Sequence, residues 1–374
     1  MRRAFLPVIC RTFAKQILFA TAFVLIALVS LFAFFDIMGR LGGHYKISQI
    51  FMLALFSVPT RIYEVMPIAV LLASVFVMSR WAARSEFTIL RVSGLSPGRL
   101  VAYLMVPGLI LVAFTYVFGE FVSPMSEVHY REYHLQVRSG TIRLDSNRTG
   151  TWVREVKTNA TGKAVTYLNI RTIDDKGGAN VWRVLEFDEN NRLARVLHAR
   201  KGRYVASQGW LLSNVEETLL PSVSGAVEPE NVRMRKLPRM MFRSSVTPEL
   251  FSVMLMRPER MSVRALLSYI SHLKQSRQQY KSYEIGLWNK IFYPLAILVM
   301  MALSLPFAYL NARNGSMTVK IFAGLMIGLA FYTINNLFSY VGMLNTWPPL
   351  VVALLPSLIM LAVALGVMWS VERR

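Results

Sequence analysis

Six apolar runs, each near or above the roughly 20 residues a helix needs to cross a bilayer core, recur near residues 16–35, 51–79, 100–122, 286–310, 318–341 and 348–370. Between the third and fourth the rhythm changes. VWRVLEF (181–187) and RLARVLHA (192–199) flank the turn-forming cluster DENN, and RYVASQGWLLSNVEETLL follows with Gly209 as a break. Short strands at this spacing, with no helical period, predict an antiparallel sandwich or barrel. Alternation in VWRVLEF sets Trp182 and Val184 on one face and Val181, Leu185 and Phe187 on the other, without saying which face is core. Val263, Leu266, Leu267, Ile270 and Leu273 then recur at helical spacing and predict an amphipathic helix leading to the fourth run. The expected fold is a polytopic α-helical membrane protein, three spans plus three, with an inserted antiparallel all-β domain. Its parts are residues 1–123, 124–260 and 261–374.

Composition agrees: 54% of the 374 residues are hydrophobic and 17% charged, against about a quarter charged in soluble proteins. MRR precedes the first run as in a secretory signal, but the apolar stretch is too long and no A-x-A pattern follows, so an uncleaved span is expected. Arg2, Arg3, Arg11 and Lys15 precede the first run, Arg80, Arg84, Arg91 and Arg99 lie between the second and third, Arg313 and Lys320 between the fourth and fifth, and Arg373 and Arg374 at the end. The positive-inside rule puts all four places, and both termini, in the cytoplasm and the β insert outside.

Lys plus Arg is 42 against 21 for Asp plus Glu, a formal charge of +21, which points to anionic partners. The basic residues are dispersed over membrane edges and the insert, so nucleic acid is not expected. The single cysteine, Cys10, excludes an intramolecular disulfide and a cysteine-built metal site, and the five scattered histidines show no HExxH. No GxxxxGK[ST] phosphate loop occurs; no catalytic, metal or nucleotide site is expected in this chain.

Two groups of residues invite a role. RSEFTILRVSGLSPGR (84–99) joins two spans yet reads as a short helix, with Gly94 placed to end it and Ser96-Pro97 to cap and start the next. Arg131, His134 and Arg138 follow the third span, Lys290 lies just inside the fourth, and Arg40 ends the first beside Asp36. Charge at such depth is costly unless it meets a polar cavity or partner. These residues could ring the outer mouth of a cavity and hold phosphate groups.

The run SVPTRIYEVMPIAVLLASVFVMSRWAARSEFTILRVSG, followed by GEFVSPMSE, ENNRLARV, WNKIFYPLAILVMMALSLPFAYL and IGLAFYTINNLF, resembles the LptF/LptG permease family along essentially the whole chain, with the LptG branch nearer. The resemblance implies the inner-membrane half of a lipopolysaccharide exporter, multi-pass in the bacterial inner membrane. It further implies a periplasmic β-jellyroll, an LptF-like partner permease, an LptB-like ATPase dimer, an LptC-like single-span protein and a periplasmic LptA-like bridge. ATP and Mg would be used by the ATPase, and no cofactor by this chain. Residues about 82–94 would be the coupling helix docking on that ATPase, with Glu86 the acidic contact and Arg84, Phe87, Leu90 and Arg91 around it. Matching substrate positions are Arg40, Arg131, His134 and Lys290, with Phe32 and Phe35 in a greasy cavity. Phe34, Gly324, Gly328, Phe331 and Tyr332 would belong to lateral gates, with GLMIG (324–328) a close helix contact towards another subunit. Met300 and Met301 would suit an adaptable acyl surface. The chain departs from many relatives in having Ala33, not lysine, three residues before Asp36, and His134 where arginine is frequent.

Three other readings compete. A permease for another lipid or lipoprotein would usually have fewer spans and its external domain after the first. A non-transporting scaffold would not need charges at the outer ends of several spans. A membrane enzyme would need a nucleophile, carboxylate pair or metal constellation, and none stands out.

Overall fold

The computed structural model describes residues 2–42, 45–84, 86, 89, 92, 97–139, 151–159, 162–173, 178–205, 208–220, 232–244, 246–248, 256–309, 317–344 and 347–372. Helices α1 (Arg2–Met38), α2 (Ile47–Ala83) and α3 (Pro97–Val117) come first, the last continuing through a π-helical turn (Phe118–Val122) into α4 (Ser123–Ser139). Six strands follow: β1 (Thr151–Asn159), β2 (Gly162–Ile173), β3 (Gly178–Phe187), β4 (Leu193–Val205), β5 (Gly209–Leu219) and β6 (Arg233–Phe242). The chain closes with α5 (Val263–Gln275), α6 (Lys281–Phe292), α7 (Ala296–Ser304), the short α8 (Pro306–Tyr309), α9 (Met317–Leu344) and α10 (Pro349–Glu372).

Six segments among the described residues are long and apolar enough to span a membrane: Cys10–Met38, Ile47–Ala83, Ala102–His134, Lys281–Ser304, Met317–Leu344 and Pro349–Ser370. The protein is therefore a polytopic α-helical membrane protein with an inserted antiparallel β domain. The fourth segment is not one smooth helix. Pro294 removes a backbone donor, and the chain passes through a 3-10 turn at Tyr293–Leu295 between α6 and α7.

Two compact units result: Met1–His129 with Pro258–Leu267 and Lys281–Arg374, and Tyr130–Arg257 with Ser268–Tyr280. In the first, α2 is the central helix. Val70, Leu71, Val75 and Met78 of α2 are buried with Leu104 and Leu111 of α3, Met300 and Met301 of α7, and Phe331 of α9. Met300 and Met301 thus pack the bundle interior and are not an open acyl surface. Glycines permit close helix approaches between α9 and α2. A Cβ on Gly324 would meet Val75 Cγ2 at 3.3 Å and one on Gly328 would meet Ile68 Cγ2 at 3.1 Å. The small-residue pair therefore faces α2 of the same chain, which corrects the expectation of a subunit contact, because the pattern reports close approach and not whose helix approaches.

The second unit is one antiparallel sheet in the order β1-β2-β3-β4-β5-β6, an up-and-down meander; the crossovers that would mark a jellyroll are not among its described connections. Trp182 and Val184 of β3 pair with Ala199 and Leu197 of β4, and all are buried beside Trp210 and Leu212 of β5. That settles the face left open by alternation: Val181 is half exposed. Alternation also slips. Ala179 and Trp182 are both buried, as are Leu212 and Val215, because Val181 (φ 56°) and Asn214 (φ 53°) adopt the left-handed region and each shifts its strand's parity by one. Gly202 lies under Trp182, where a Cβ would meet the indole Nε1 at 2.5 Å. Tyr269, Ile270 and Leu273 of α5 are buried here, and Arg154 of β1 donates to the Ser276 carbonyl at 2.6 Å.

Candidate functional site

Polar groups collect where α1, α2, the π-helical turn, α6 and the segment 258–264 meet. Asp36 accepts from Arg61 Nη2 at 3.2 and 3.4 Å and from Ser57 at 3.4 Å. Arg61 reaches Glu64 at 3.0 Å on its own helix, and its guanidinium stands 5.6 Å from the Phe32 ring centre. Arg260 bridges Glu64 at 3.7 Å and Glu127 at 3.2 and 3.0 Å. Carboxylates and guanidiniums alternate along this chain, so each of these five charges is compensated by a neighbour, the condition under which such burial is tolerated.

Beside this chain of ion pairs lies Lys290, 5% exposed. Its Nζ stands 4.4 Å from the Tyr63 ring centre and has no hydrogen-bond partner among the described residues. Tyr63 fits there because residue 119 is glycine: a Cβ would meet the ring at 2.5 Å. The π-helical turn that presents Gly119 also presents Glu120, which accepts from the Val263 and Arg264 amides at 2.8 and 3.3 Å and so caps α5. Tyr293 donates to the Glu64 carbonyl at 2.5 Å, in the turn before Pro67. Tyr116 donates to the Ile291 carbonyl.

Of the residues expected at a phosphate-binding ring, Arg40 and Lys290 belong to the first unit and Arg131 and His134 to the second. Lys290 is inside the bundle and not at an open mouth; Arg40 is half-buried one turn beyond Asp36. His134 stacks on Tyr130 with centres 5.9 Å apart. Phe32, Phe34 and Phe35 are exposed on α1. Phe331 is 1% exposed and belongs to the bundle core, whereas its neighbour Tyr332 is exposed. Arg61, Glu64, Glu120, Glu127 and Arg260 were not singled out from sequence, although Arg61 and Glu64 stand inside an apolar run at i, i+3, itself a signal.

At the other end of α2, Arg84 closes the helix with its amide on the Arg80 carbonyl at 3.2 Å, and its guanidinium lies 3.8 Å from Glu86. Phe87, Leu90 and Arg91 fall outside the described residues. Ile89 and Val92, in the same stretch, are 62% and 86% exposed, an apolar surface next to Glu86 that the helical phasing did not single out.

In the second unit a cavity of about 680 Å³ opens at the strand bend, lined among others by Val181, His198, Arg200, Glu216 and Lys236. Burial and then Arg183 push the His198 imidazole below its ordinary pKa, against a smaller opposing pull from Glu216.

Residues 8–370 match the model of the family described as lipopolysaccharide export system permease LptF/LptG. The chain is 28% identical over 340 residues to the lipopolysaccharide export system permease protein LptG of Escherichia coli strain K12, covering 90% of each chain. It is 27% identical over 369 residues to the protein of that name from Haemophilus influenzae, covering 97% of this chain and 98% of the other.

Proposed function

Because the chain belongs to the LptF/LptG lipopolysaccharide export permease family, we propose that it is an LptG-type permease subunit that extracts lipopolysaccharide from the outer leaflet of the inner membrane and passes it to a periplasmic bridge. The observation that carries this is the extent of the match: it takes in both sets of three spans and the β insert. A transporter subunit, not a catalyst, accords with that family. In this reading an LptF-like permease completes the membrane pore, an LptC-like single-span protein joins it, and an LptB-like ATPase dimer hydrolyses ATP with Mg. The β domain faces the periplasm and both termini the cytoplasm. Arg40 and Arg131 offer cations and His134 a ring N–H to lipid phosphates, and Phe32, Phe34 and Phe35 offer apolar surface to acyl chains. Arg84 and Glu86 take part in docking the ATPase.

The test is photo-crosslinking in membranes that hold the assembled complex, with the probe at Phe187 or Arg131. Lipopolysaccharide adducts at Phe187 are expected to rise with ATP. Adducts at neither position, in a complex shown to export, would overturn the path.

A further inference from the structure

Alternation in the β domain fails at one level in three neighbouring strands. In β3, Asn180 and Val181 separate the buried Ala179 and Trp182; in β4, Arg200 and Lys201 separate Ala199 and Gly202; in β5, Ser213 and Asn214 separate Leu212 and Val215. The register holds across the slip: Lys201 pairs with Asn180 and Ser213, and Ala199 with Trp182 and Val215. Val181 and Asn214 therefore flank Arg200 on either side, and both are left-handed, at φ 56° and 53°. A β-branched residue rarely takes that conformation, and such strain persists where its surroundings impose it, most often at sites with a role. Here it accompanies a bend whose exposed face holds the cavity of about 680 Å³, lined among others by His198, Arg200, Asn214, Glu216, Lys236 and Pro238.

The lining narrows the occupant. Its volume falls within the range of small-molecule pockets, about 300–1,000 Å³, and exceeds what one inorganic anion fills. Lys236 is shared with Glu216 at 3.5 Å, whereas Arg200 has no carboxylate partner among the described residues. A guanidinium so placed matches a phosphate or carboxylate with two parallel N–H donors. Glu216 accepts, and Asn214 both donates and accepts, which suits hydroxyl groups that do both. Among the described residues no exposed Phe, Tyr or Trp lines the cavity to stack a nucleobase; Trp182 is 1% exposed and packs on Trp210 with ring centres 4.8 Å apart. An extended acidic peptide would pair with the backbone of the edge strand β6 instead of lying across the face.

We propose that this cavity binds a saccharide bearing phosphate or carboxylate, its anion held by Arg200 and Lys236 and its hydroxyls by Asn214 and Glu216. β6, which carries Lys236 and Pro238, ends the described sheet. A lipid whose acyl chains lie on the opposite face can therefore lead its saccharide over that edge to the cavity without threading the sheet. That link to the cargo rests on the export reading; the cavity and its charges do not.

The test uses the full chain assembled with its partner subunits in nanodiscs and reads the acetylation rate of Lys236 by peptide mass spectrometry. Glucose 1-phosphate should slow it about three-fold at a concentration twice the dissociation constant. Glucose and inorganic phosphate at that concentration should slow it far less, and Lys274, exposed in the same unit, should not respond. Arg200→Gln should remove the protection and Arg200→Lys keep part of it, whereas Arg203→Gln, on the same strand outside the lining, should leave it whole. A benzophenone side chain in place of His198 should capture lipopolysaccharide when the complex is given ATP. No protection, equal protection by inorganic phosphate, or protection that survives Arg200→Gln would each overturn the site. Protection without lipopolysaccharide adducts at position 198, in a complex that still gives them at Phe187, would overturn the cargo as the source of the sugar and assign a free glycan. Loss of adducts at both positions with protection retained would overturn the export path and leave the site standing.

Discussion

Arg260 holds both oxygens of Glu127 at 3.2 and 3.0 Å, and the Glu127 side chain is only 3% exposed. Removing the guanidinium breaks this ion pair at a buried carboxylate, a loss that typically costs about 3–5 kcal/mol. Arg260→Ala should lower the thermal midpoint of the detergent-solubilised protein strongly, and Glu127→Gln in the same chain should restore a large part of it; additive losses would deny the coupling. His272 gives a prediction in pH. It is buried, its Nε2 has no hydrogen-bond partner among the described residues, and burial holds its pKa below the ordinary value against a weaker pull from Glu155. The unfolded chain, with a pKa of about 6.5, takes up the proton first on acidification. The stability due to neutral His272 is therefore complete above that pH and lost as pH falls through it towards the folded pKa. Unfolding midpoints at pH 7.5 and 5.0 should differ more in the natural protein than in His272→Asn; an equal difference would remove His272 from the acid response.

Among the elements, the α9–α2 contact can be tested directly. A Cβ on Gly328 would lie 3.6 Å from Ile68 Cβ, inside the 3.5–4.5 Å range of a disulfide. With Cys10→Ser as background, cysteines at 68 and 328 should oxidise within one chain, seen as a mobility shift without a dimer band. A dimer band would place α9 against another subunit. The spans were legible because a 20-residue apolar run has few other uses, and the strands because DENN and Gly209 punctuate them. The shift of parity at Val181 was not, since a β-branched residue rarely takes a left-handed conformation; Asn214 is of a type that does so readily, but nothing in its strand's pattern marked the slip. The ionic cluster was half legible. Asp36 and Lys290 were noticed as charges at span ends, but their surroundings come from residues far apart in sequence: Arg61 for Asp36, and Tyr63 through Gly119 for Lys290. Arg260 lay in a segment whose pattern spoke only of the helix that follows. Hydropathy locates a costly charge; it does not name the partner that makes it tolerable.

At the scale of the whole molecule, α2 joins the two ends of the proposed transport cycle. It carries Arg61 and Glu64 within the ionic cluster and ends at Arg84, beside Glu86. About 33 Å of helix separates Glu64 from Glu86 if the rise is carried to the loop, and most of that length is buried in the bundle. A packed helix transmits displacement where a loose connection would absorb it. An ATPase that pulls on Glu86 and the exposed Ile89 and Val92 would therefore move Arg61 and Glu64 relative to Asp36 and Glu127. Glu86→Lys reverses the charge at the docking end without touching the core, so the thermal midpoint should stay within the roughly ±0.5 kcal/mol range of surface substitutions. ATPase co-purification should fall about ten-fold, the scale of about 1.4 kcal/mol of lost docking, and ATP-dependent lipopolysaccharide adducts at Phe187 should disappear with it. Normal co-purification and normal growth of cells relying on this variant would sink the role given to Glu86. Loss of adducts with the ATPase still bound would put Glu86 in transmission of the motion and take it out of docking.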